Sequence, residues 1–159
     1  MKSEISTFWT MLQSDDELIH DEGYRLNYEF ARKNPQYFQS IKKWLPKKFV
    51  STYEKINFHD FHILNIEYYS SPPKKSKIRM VTHDYHEEYG KDMIFDFVYR
   101  DIKEYSCFIT STRLPINWSR DIFEILDNGL IMHRILCSNR VFFDITAKSI
   151  EIKSYQKRD

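Results

Sequence analysis

The spacing of the apolar residues changes once along this chain, near residue 58. Before that point apolar residues recur every three or four positions, as in Ile5, Phe8, Trp9 and Leu12, which is the spacing of one buried helix face. After it they alternate, and Ile, Val, Phe, Tyr and Thr predominate, which suits a pleated sheet with one buried face. The sequence therefore predicts an α+β fold in which helices precede a sheet.

Start and stop signals divide the helical part. Asn34-Pro35 is a helix start, with Asn as the N-cap and Pro at the first helical position. Pro46 ends that helix and starts another. The predicted buried stripes are Tyr37, Phe38, Ile41, Trp44 and Leu45 in the first helix, and Phe49, Val50 and Tyr53 in the second.

The second part of the chain predicts strands joined by short turns. We expect eight strands, at 62–69, 77–83, 93–99, 105–110, 122–126, 130–136, 141–144 and 149–154. Residues 70–75 and the Asp127-Asn128-Gly129 sequence supply turns. Such short connections are typical of an antiparallel meander. We predict one domain, 1–159, whose helical third (about 1–56) packs on a curled antiparallel sheet (57–155).

The composition indicates how the core is filled and in which compartment the protein is expected. Aromatic residues make up 16% of the chain, so large rings fill the predicted core. No apolar stretch is long enough to span a bilayer, and acids stand where a signal peptide would have its cleavage site. Cys107 and Cys137 lie in apolar runs, which favours buried thiols in a reducing compartment. We expect a cytoplasmic protein with no membrane partner.

Common catalytic and cofactor motifs are missing from the sequence. The three glycines, Gly23, Gly90 and Gly129, stand apart, so no glycine-rich loop can cradle a phosphate or a dinucleotide. No serine lies in a Gly-x-Ser-x-Gly elbow. We therefore expect no cofactor, and the sequence favours a binding protein over an enzyme.

Two matching tetrads, His59-Asp60-Phe61-His62 and His83-Asp84-Tyr85-His86, are the most suggestive chemical pattern. Imidazole and carboxylate ligands suit zinc, iron or manganese, so the tetrads are candidates for a metal site or a metal-dependent hydrolase. Strand residues three apart point to opposite faces, which favours a structural role at strand ends instead. The candidate metal ligands are His59, Asp60, His62, His83, Asp84 and His86.

A polar segment at 84–92 is long for a hairpin connection and rich in tyrosine and acids. Tyrosine is favoured at interfaces because its ring buries area while its hydroxyl stays hydrated. The candidate partner-binding residues are Tyr85, Glu87, Glu88 and Tyr89. A solvated hairpin tip is the alternative interpretation.

A basic and aromatic run at 41–49 is a candidate nucleic-acid-binding segment. Lys42, Lys43, Lys47 and Lys48 supply charge, and Trp44 supplies a ring for stacking. The net charge of the chain is only +1, and lysines beside a buried stripe usually form a solvated face. Nucleic-acid binding is therefore not expected.

The stretch Phe58-His59-Asp60-Phe61-His62-Ile63 resembles the opening strand of small proteins of low-GC Gram-positive bacteria, which has the pattern apolar-His-Asp-x-x-Ile. Residues 118–125, 130–136 and 149–152 resemble the end of the same proteins, so the similarity spans about 45–153. Some of these proteins are regarded as immunity proteins of polymorphic toxin systems. The resemblance implies a structural strand end at His59, Asp60 and Ile63, and a toxin as the partner.

Two interpretations remain open at this point. The first is a non-catalytic protein-binding domain, of the immunity type, that neutralises a toxin by direct binding. The second is a metal-binding domain or metal-dependent hydrolase built on the two tetrads. The sequence does not indicate an oligomeric state.

Overall fold

The computed structural model describes residues 2–81, 93–108, 116–138 and 141–156. The helices are α1 (Lys2–Leu12), α2 (Glu17–Lys33), α3 (Tyr37–Ile41), a 3-10 turn (Lys42–Trp44) and α4 (Lys47–Tyr53), and the strands are β1 (His62–Tyr69), β2 (Lys75–Val81), β3 (Met93–Phe108), β4 (Ile116–Ile125), β5 (Ile131–Cys137) and β6 (Phe142–Gln156). The predicted α+β class is confirmed. The chain forms two compact units, residues 1–41 and 42–159.

The first unit is built on the helices α1 and α2. The predicted apolar face of α1 is buried, with Ile5 and Leu12 at 0% exposure. Helix α2 begins at a cap in which the Asp16 carboxylate accepts the backbone N–H groups of Leu18 and Ile19. Within the described ranges, no helix combines the length and the apolar character needed to cross a membrane.

The predicted stripe on the next helix is wrong at Trp44. Helix α3 ends at Ile41, and the 3-10 turn that follows has about three residues per turn instead of 3.6. This change of period turns the Trp44 side chain outward, where it is 64% exposed, while Leu45 is buried. Phe49 on α4 is buried as predicted.

The second unit is a closed barrel of six antiparallel strands in the order β1-β2-β3-β6-β5-β4. The predicted meander is present in each half, as β1-β2-β3 and as β4-β5-β6. The two halves join where β3 pairs with β6 from Met93 opposite Gln156 to Phe108 opposite Phe142. The barrel closes where β1 pairs with β4.

Six strands replace the eight predicted because β3 and β6 each span two predicted strands. Pairing between β3 and β6 continues through an irregularity between Ile102 and Glu104. Asp101, just before it, has a φ of 52°, a left-handed conformation that Asp tolerates better than most residues. Such bulges bend a strand and increase its twist, which is what a curled sheet needs in order to close.

Aromatic rings fill the barrel. Phe49 of α4 contacts Phe97 of β3 and Phe123 of β4, with ring centroids 6.1 and 5.4 Å apart. Phe58, in the connection between α4 and β1, packs edge-on against Phe97 at 5.0 Å. Helix α4 and its connection are thus part of the barrel's core, and they bring their side chains close to β4.

The close approach of α1 and α2 at Gly23 leads to a stability prediction. A Cβ at this position would lie 2.8 Å from the backbone nitrogen of Leu12 and 3.0 Å from the Met11 Cβ. Gly23→Ala gains about 1 kcal/mol of helix propensity, but overpacking costs about 1–3 kcal/mol, so we expect net destabilisation. Urea unfolding followed by circular dichroism measures the change.

The matched control is Tyr28→Ala, at a position of the same helix that is 62% exposed. It also gains helix propensity but creates no close contact, so its free energy of unfolding should equal or exceed that of the parent protein. A Gly23→Ala variant as stable as the Tyr28→Ala variant would contradict the packing described here.

Candidate functional site

A cavity of about 190 Å³ lies where the end of α4 and the connection to β1 meet the first half of β4. Its walls combine aromatic rings with a small number of polar groups. The lining residues are Tyr53, Ile56, Asn57, Phe58, His59, Trp118, Ser119 and Asp121. Concave, mostly aromatic surfaces with a few fixed polar groups are typical of binding sites.

An irregularity in β4 directs an acidic side chain into this cavity. In a regular strand, residues three apart point to opposite faces, so Trp118 and Asp121 would not share a face. The register of β4 against β5 shifts between Trp118 and Arg120. The extra residue puts Trp118 and Asp121 on the same side of the strand, and both line the cavity. Arg120 is exposed instead.

Asp121 is the end point of a network of hydrogen bonds inside the barrel. Its Oδ2 atom lies 2.8 Å from the Tyr53 hydroxyl and 2.8 Å from His133 Nε2. The other ring nitrogen of His133, Nδ1, lies 2.8 Å from the Tyr99 hydroxyl. The network therefore joins α4, β4, β5 and β3. The His133 ring is fully buried and stacks on Phe123 at a centroid distance of 3.9 Å.

The protonation states in this network follow from burial. Burial lowers the pKa of His133 despite its hydrogen bond to Asp121, so the imidazole is neutral at pH 7. Burial and the Asp121 charge raise the pKa of Tyr53 and of Tyr99, so both hydroxyls keep their protons. Tyr99 therefore donates to His133 Nδ1, and His133 Nε2–H and the Tyr53 hydroxyl both donate to Asp121 Oδ2.

This arrangement leaves Asp121 with an unused acceptor atom. In the part of the chain that the structure describes, no donor hydrogen-bonds Oδ1, and no lysine or arginine forms an ion pair with this carboxylate. The side chain is nevertheless only 12% exposed. Asp121 is thus a largely buried anion that is held by neutral groups and faces a cavity.

The first predicted tetrad lies beside this cavity, where the connection from α4 enters β1. His59 lines the cavity, and its Nδ1 lies 2.8 Å from Asp60 Oδ2. Asp60 has a φ of 65°, and its backbone N–H donates to the Trp118 carbonyl at 2.7 Å. The His59 backbone N–H donates to Asn57 Oδ1 and not to the Asp60 carboxylate. Both residues thus take part in the turn that begins β1.

His62, the last residue of that tetrad, is separated from the other two. Its Nδ1 donates to Asn117 Oδ1 at 2.8 Å, in the pairing of β1 with β4. Among the residues that the structure describes, no group of three or more His, Cys, Asp or Glu side chains is placed to hold a metal ion.

The other predicted site residues lie outside the described residues. These are the second tetrad, with His83, Asp84 and His86, and the candidate partner-binding residues Tyr85, Glu87, Glu88 and Tyr89. The metal site that combines both tetrads therefore stays a prediction, as does the interface at 84–92.

In the basic run, Lys43, Trp44, Lys47 and Lys48 are all exposed. Lys43 Nζ lies 5.3 Å from the centre of the exposed Trp44 ring, which is a cation–π distance. Lys42 Nζ pairs with Glu54 at 2.9 Å. An intramolecular carboxylate thus balances one of the four lysines that suggested phosphate binding.

The sequence interpretation missed the network because two of its members, His133 and Tyr99, stand in apolar rows. His133 takes an inward position between Ile131 and Ile135 on β5, and all three are buried. Tyr99 likewise follows Phe95 and Phe97 on β3. A histidine at an inward position of an apolar strand was the available signal, since a buried imidazole needs hydrogen-bond partners.

Comparison of the chain with known protein families, with curated proteins and with solved structures finds no match. The resemblance to small Gram-positive proteins and to immunity proteins therefore stays a prediction. The fold and the site define the chain as an α+β protein with a closed antiparallel barrel, an aromatic-walled cavity and a buried Asp-His-Tyr network.

The buried imidazole predicts how stability depends on pH. The pKa of His133 is lower in the folded protein than the ordinary value of 6.5, so the unfolded chain takes up a proton first as the pH falls. Below pH 6.5, acidification should therefore reduce the free energy of unfolding, by at most about 1.4 kcal/mol per pH unit from this residue. Denaturant titrations from about pH 7 to about pH 5 measure the slope.

The variant His133→Gln removes the titrating group, so its slope should be smaller than that of the parent even if its absolute stability is lower. The control Tyr28→Ala, at the exposed position of α2 used above, leaves His133 in place and should keep the parental slope. Equal slopes for the parent and the His133→Gln variant would show that His133 is not a buried neutral group.

Proposed function

We propose that this chain is a non-catalytic domain that binds another protein through the surface around the Asp121 cavity. The observation that carries the proposal is the Asp121 carboxylate, which lines a small cavity with three aromatic rings and whose Oδ1 atom has no donor among the described residues. Hydrogen bonds from Tyr53 of α4 and His133 of β5 hold this carboxylate in one orientation, and Tyr99 of β3 in turn holds His133. A preorganised polar group beside aromatic rings in a cavity is an arrangement that gives specificity in recognition.

The network supports recognition better than proton transfer. An Asp-His pair serves in catalysis when one imidazole nitrogen can reach a substrate. Here Nε2 of His133 is bonded to Asp121 and Nδ1 to Tyr99, and the ring has no exposed surface. The imidazole thus acts as a fixed donor to the carboxylate.

The size of the cavity favours a protein partner over a metabolite. Pockets for drug-sized ligands usually have volumes of about 300–1,000 Å³. At about 190 Å³ this cavity accommodates a group no larger than one side chain. Side chains that fill such pockets at the centre of an interface carry much of the binding energy.

Two points support the immunity-type role: the resemblance of residues 58–63 to the small Gram-positive proteins and the predicted cytoplasmic location. A cytoplasmic binding protein should keep its thiols reduced, and Cys107 and Cys137 form no disulfide in the structure, although Cys107 is exposed and not buried as predicted. In this proposal the partner is a toxin that the domain neutralises by direct binding. His59 and Asp60, which carry the resemblance, lie at the edge of the cavity through which the partner would bind.

Affinity purification of the tagged protein from its native host tests the proposal. We expect one stoichiometric protein partner with the parent and with Ser51→Arg, which changes an exposed serine of α4. Ser119→Arg places a long side chain in the cavity, so it should reduce recovery of the partner at least about tenfold, as expected for a central contact worth more than about 1.4 kcal/mol. Circular dichroism checks that both variants are folded.

The purified partner should then bind the purified domain in calorimetry with the same ranking of variants. Toxicity of the partner in cells, relieved by co-expression of this chain, would support the immunity role. Recovery of the partner undiminished by Ser119→Arg would contradict the proposed surface. A protein isolated alone, with one equivalent of metal, would instead favour the two tetrads as a metal site.

A further inference from the structure

We propose that the Asp121 cavity receives the guanidinium group of an arginine from the partner protein. This inference rests on the proposed function and specifies the chemistry of its central contact. Asp121 Oδ1 would accept a hydrogen bond from the guanidinium, and the rings of Tyr53, Phe58 and Trp118 would surround the cation.

The charge of the cavity is the first support. Of the eight described residues that line it, Asp121 is the one acid, and none is a lysine or an arginine. The nearest further ionisable side chain at the rim, His59, is hydrogen-bonded to the Asp60 carboxylate, which offsets any positive charge on that imidazole. The cavity therefore presents a negative potential to a ligand.

The state of the Asp121 carboxylate is the second support. A buried ionised carboxylate is costly unless it is paired with a cation or fully hydrogen-bonded. The hydrogen bonds from Tyr53 and His133 both go to Oδ2, and no donor among the described residues reaches Oδ1. The Oδ1 atom can therefore accept a hydrogen bond from a group outside the chain.

The aromatic walls determine which cation fits best. The Tyr53 and Phe58 rings stack on each other, with an interplanar angle of 25° and centroids 6.0 Å apart, and together they form one aromatic side of the cavity. A planar guanidinium stacks on ring faces and loses less hydration than an ammonium, so it suits an aromatic site better than lysine does. Its several N–H groups can also reach the side-chain oxygen of Ser119 in the cavity wall.

A metal ion fits the same site less well. Stable protein sites for divalent ions usually need at least three protein ligands, and the described residues contain no such group. At Asp121 only a single carboxylate oxygen is open, which matches one hydrogen bond to an organic cation.

Titration of the purified protein with Nα-acetyl-arginine methylamide, followed by NMR, tests the inference. We expect saturable shifts of the Trp118 indole resonance. Nα-acetyl-citrulline methylamide, which has nearly the same shape without the charge, should bind at least about tenfold more weakly, as should the lysine analogue. Similar affinity for arginine and citrulline, or for arginine and lysine, would overturn the assignment.

The variant Asp121→Asn removes the charge while its amide oxygen can still accept from Tyr53 and His133. It should lose the arginine response at least about tenfold, whereas Ser51→Arg should keep the parental affinity. If Asp121→Asn does not fold, Ser119→Arg serves as the second variant, since its own side chain would occupy the cavity. An unchanged response in a folded variant would overturn the inference.

Two further outcomes separate this inference from the proposed function. If a partner is captured equally by the parent and by Asp121→Asn, and the arginine derivative does not bind, the domain binds a protein but not through an arginine in this cavity. If the arginine derivative binds but no protein is captured, the proposed function fails, and the cavity is a site for a free guanidinium compound instead.

Discussion

The hydrogen bonds that converge on Asp121 Oδ2 connect the parts of the barrel that are far apart in sequence. Tyr53 comes from α4, His133 from β5 and, through His133, Tyr99 from β3. In a low-dielectric interior, a buried polar group without a partner costs more free energy than one hydrogen bond contributes. The network therefore stabilises the barrel only if every member is paired. The positions of these four side chains are therefore interdependent. Together they hold α4 close to β4, beside the cavity.

The network depends in turn on irregular backbone. If β4 kept a regular alternation, Asp121 would point away from Trp118, and His133 would face an apolar wall without an acceptor. The shift between Trp118 and Arg120 prevents this, and a similar irregularity in β3 follows Asp101. Bulges of this kind bend the sheet as well as reorienting side chains. The same local features thus help to close the barrel and to direct a carboxylate into the cavity.

The sequence was sufficient to predict elements in which the apolar spacing is uninterrupted. The buried face of α1 was predicted correctly because Ile5, Phe8, Trp9 and Leu12 keep helical spacing along the helix. Strand β1 was predicted with its observed bounds, His62–Tyr69, although its register against β2 shifts between Ile63 and Asn65. Prediction failed where the period changes within an element, as at Trp44, which a 3-10 turn rotates outward, and at β4, whose first residues were missed. The cavity could not be predicted, since its walls come from segments about sixty residues apart that meet only in the folded barrel, through the pairing of β1 with β4 and through side-chain contacts such as Tyr53 with Asp121. His59 was selected as a candidate metal ligand, and the structure places it in the wall of the cavity.

The contrast between Asp121 and a catalytic carboxylate explains why the same residue types favour recognition here. In a catalytic dyad the imidazole lies between the acid and the substrate, so that a proton can pass outward. In this barrel the order is reversed: the imidazole and Tyr99 lie inside, and the carboxylate lies at the cavity. Each donor in this series of hydrogen bonds points toward Asp121, so the negative charge lies at the end of the network that lines the cavity. A charge held in this way attracts a cation and orients it, and an arginine side chain also matches the aromatic walls that enclose the site.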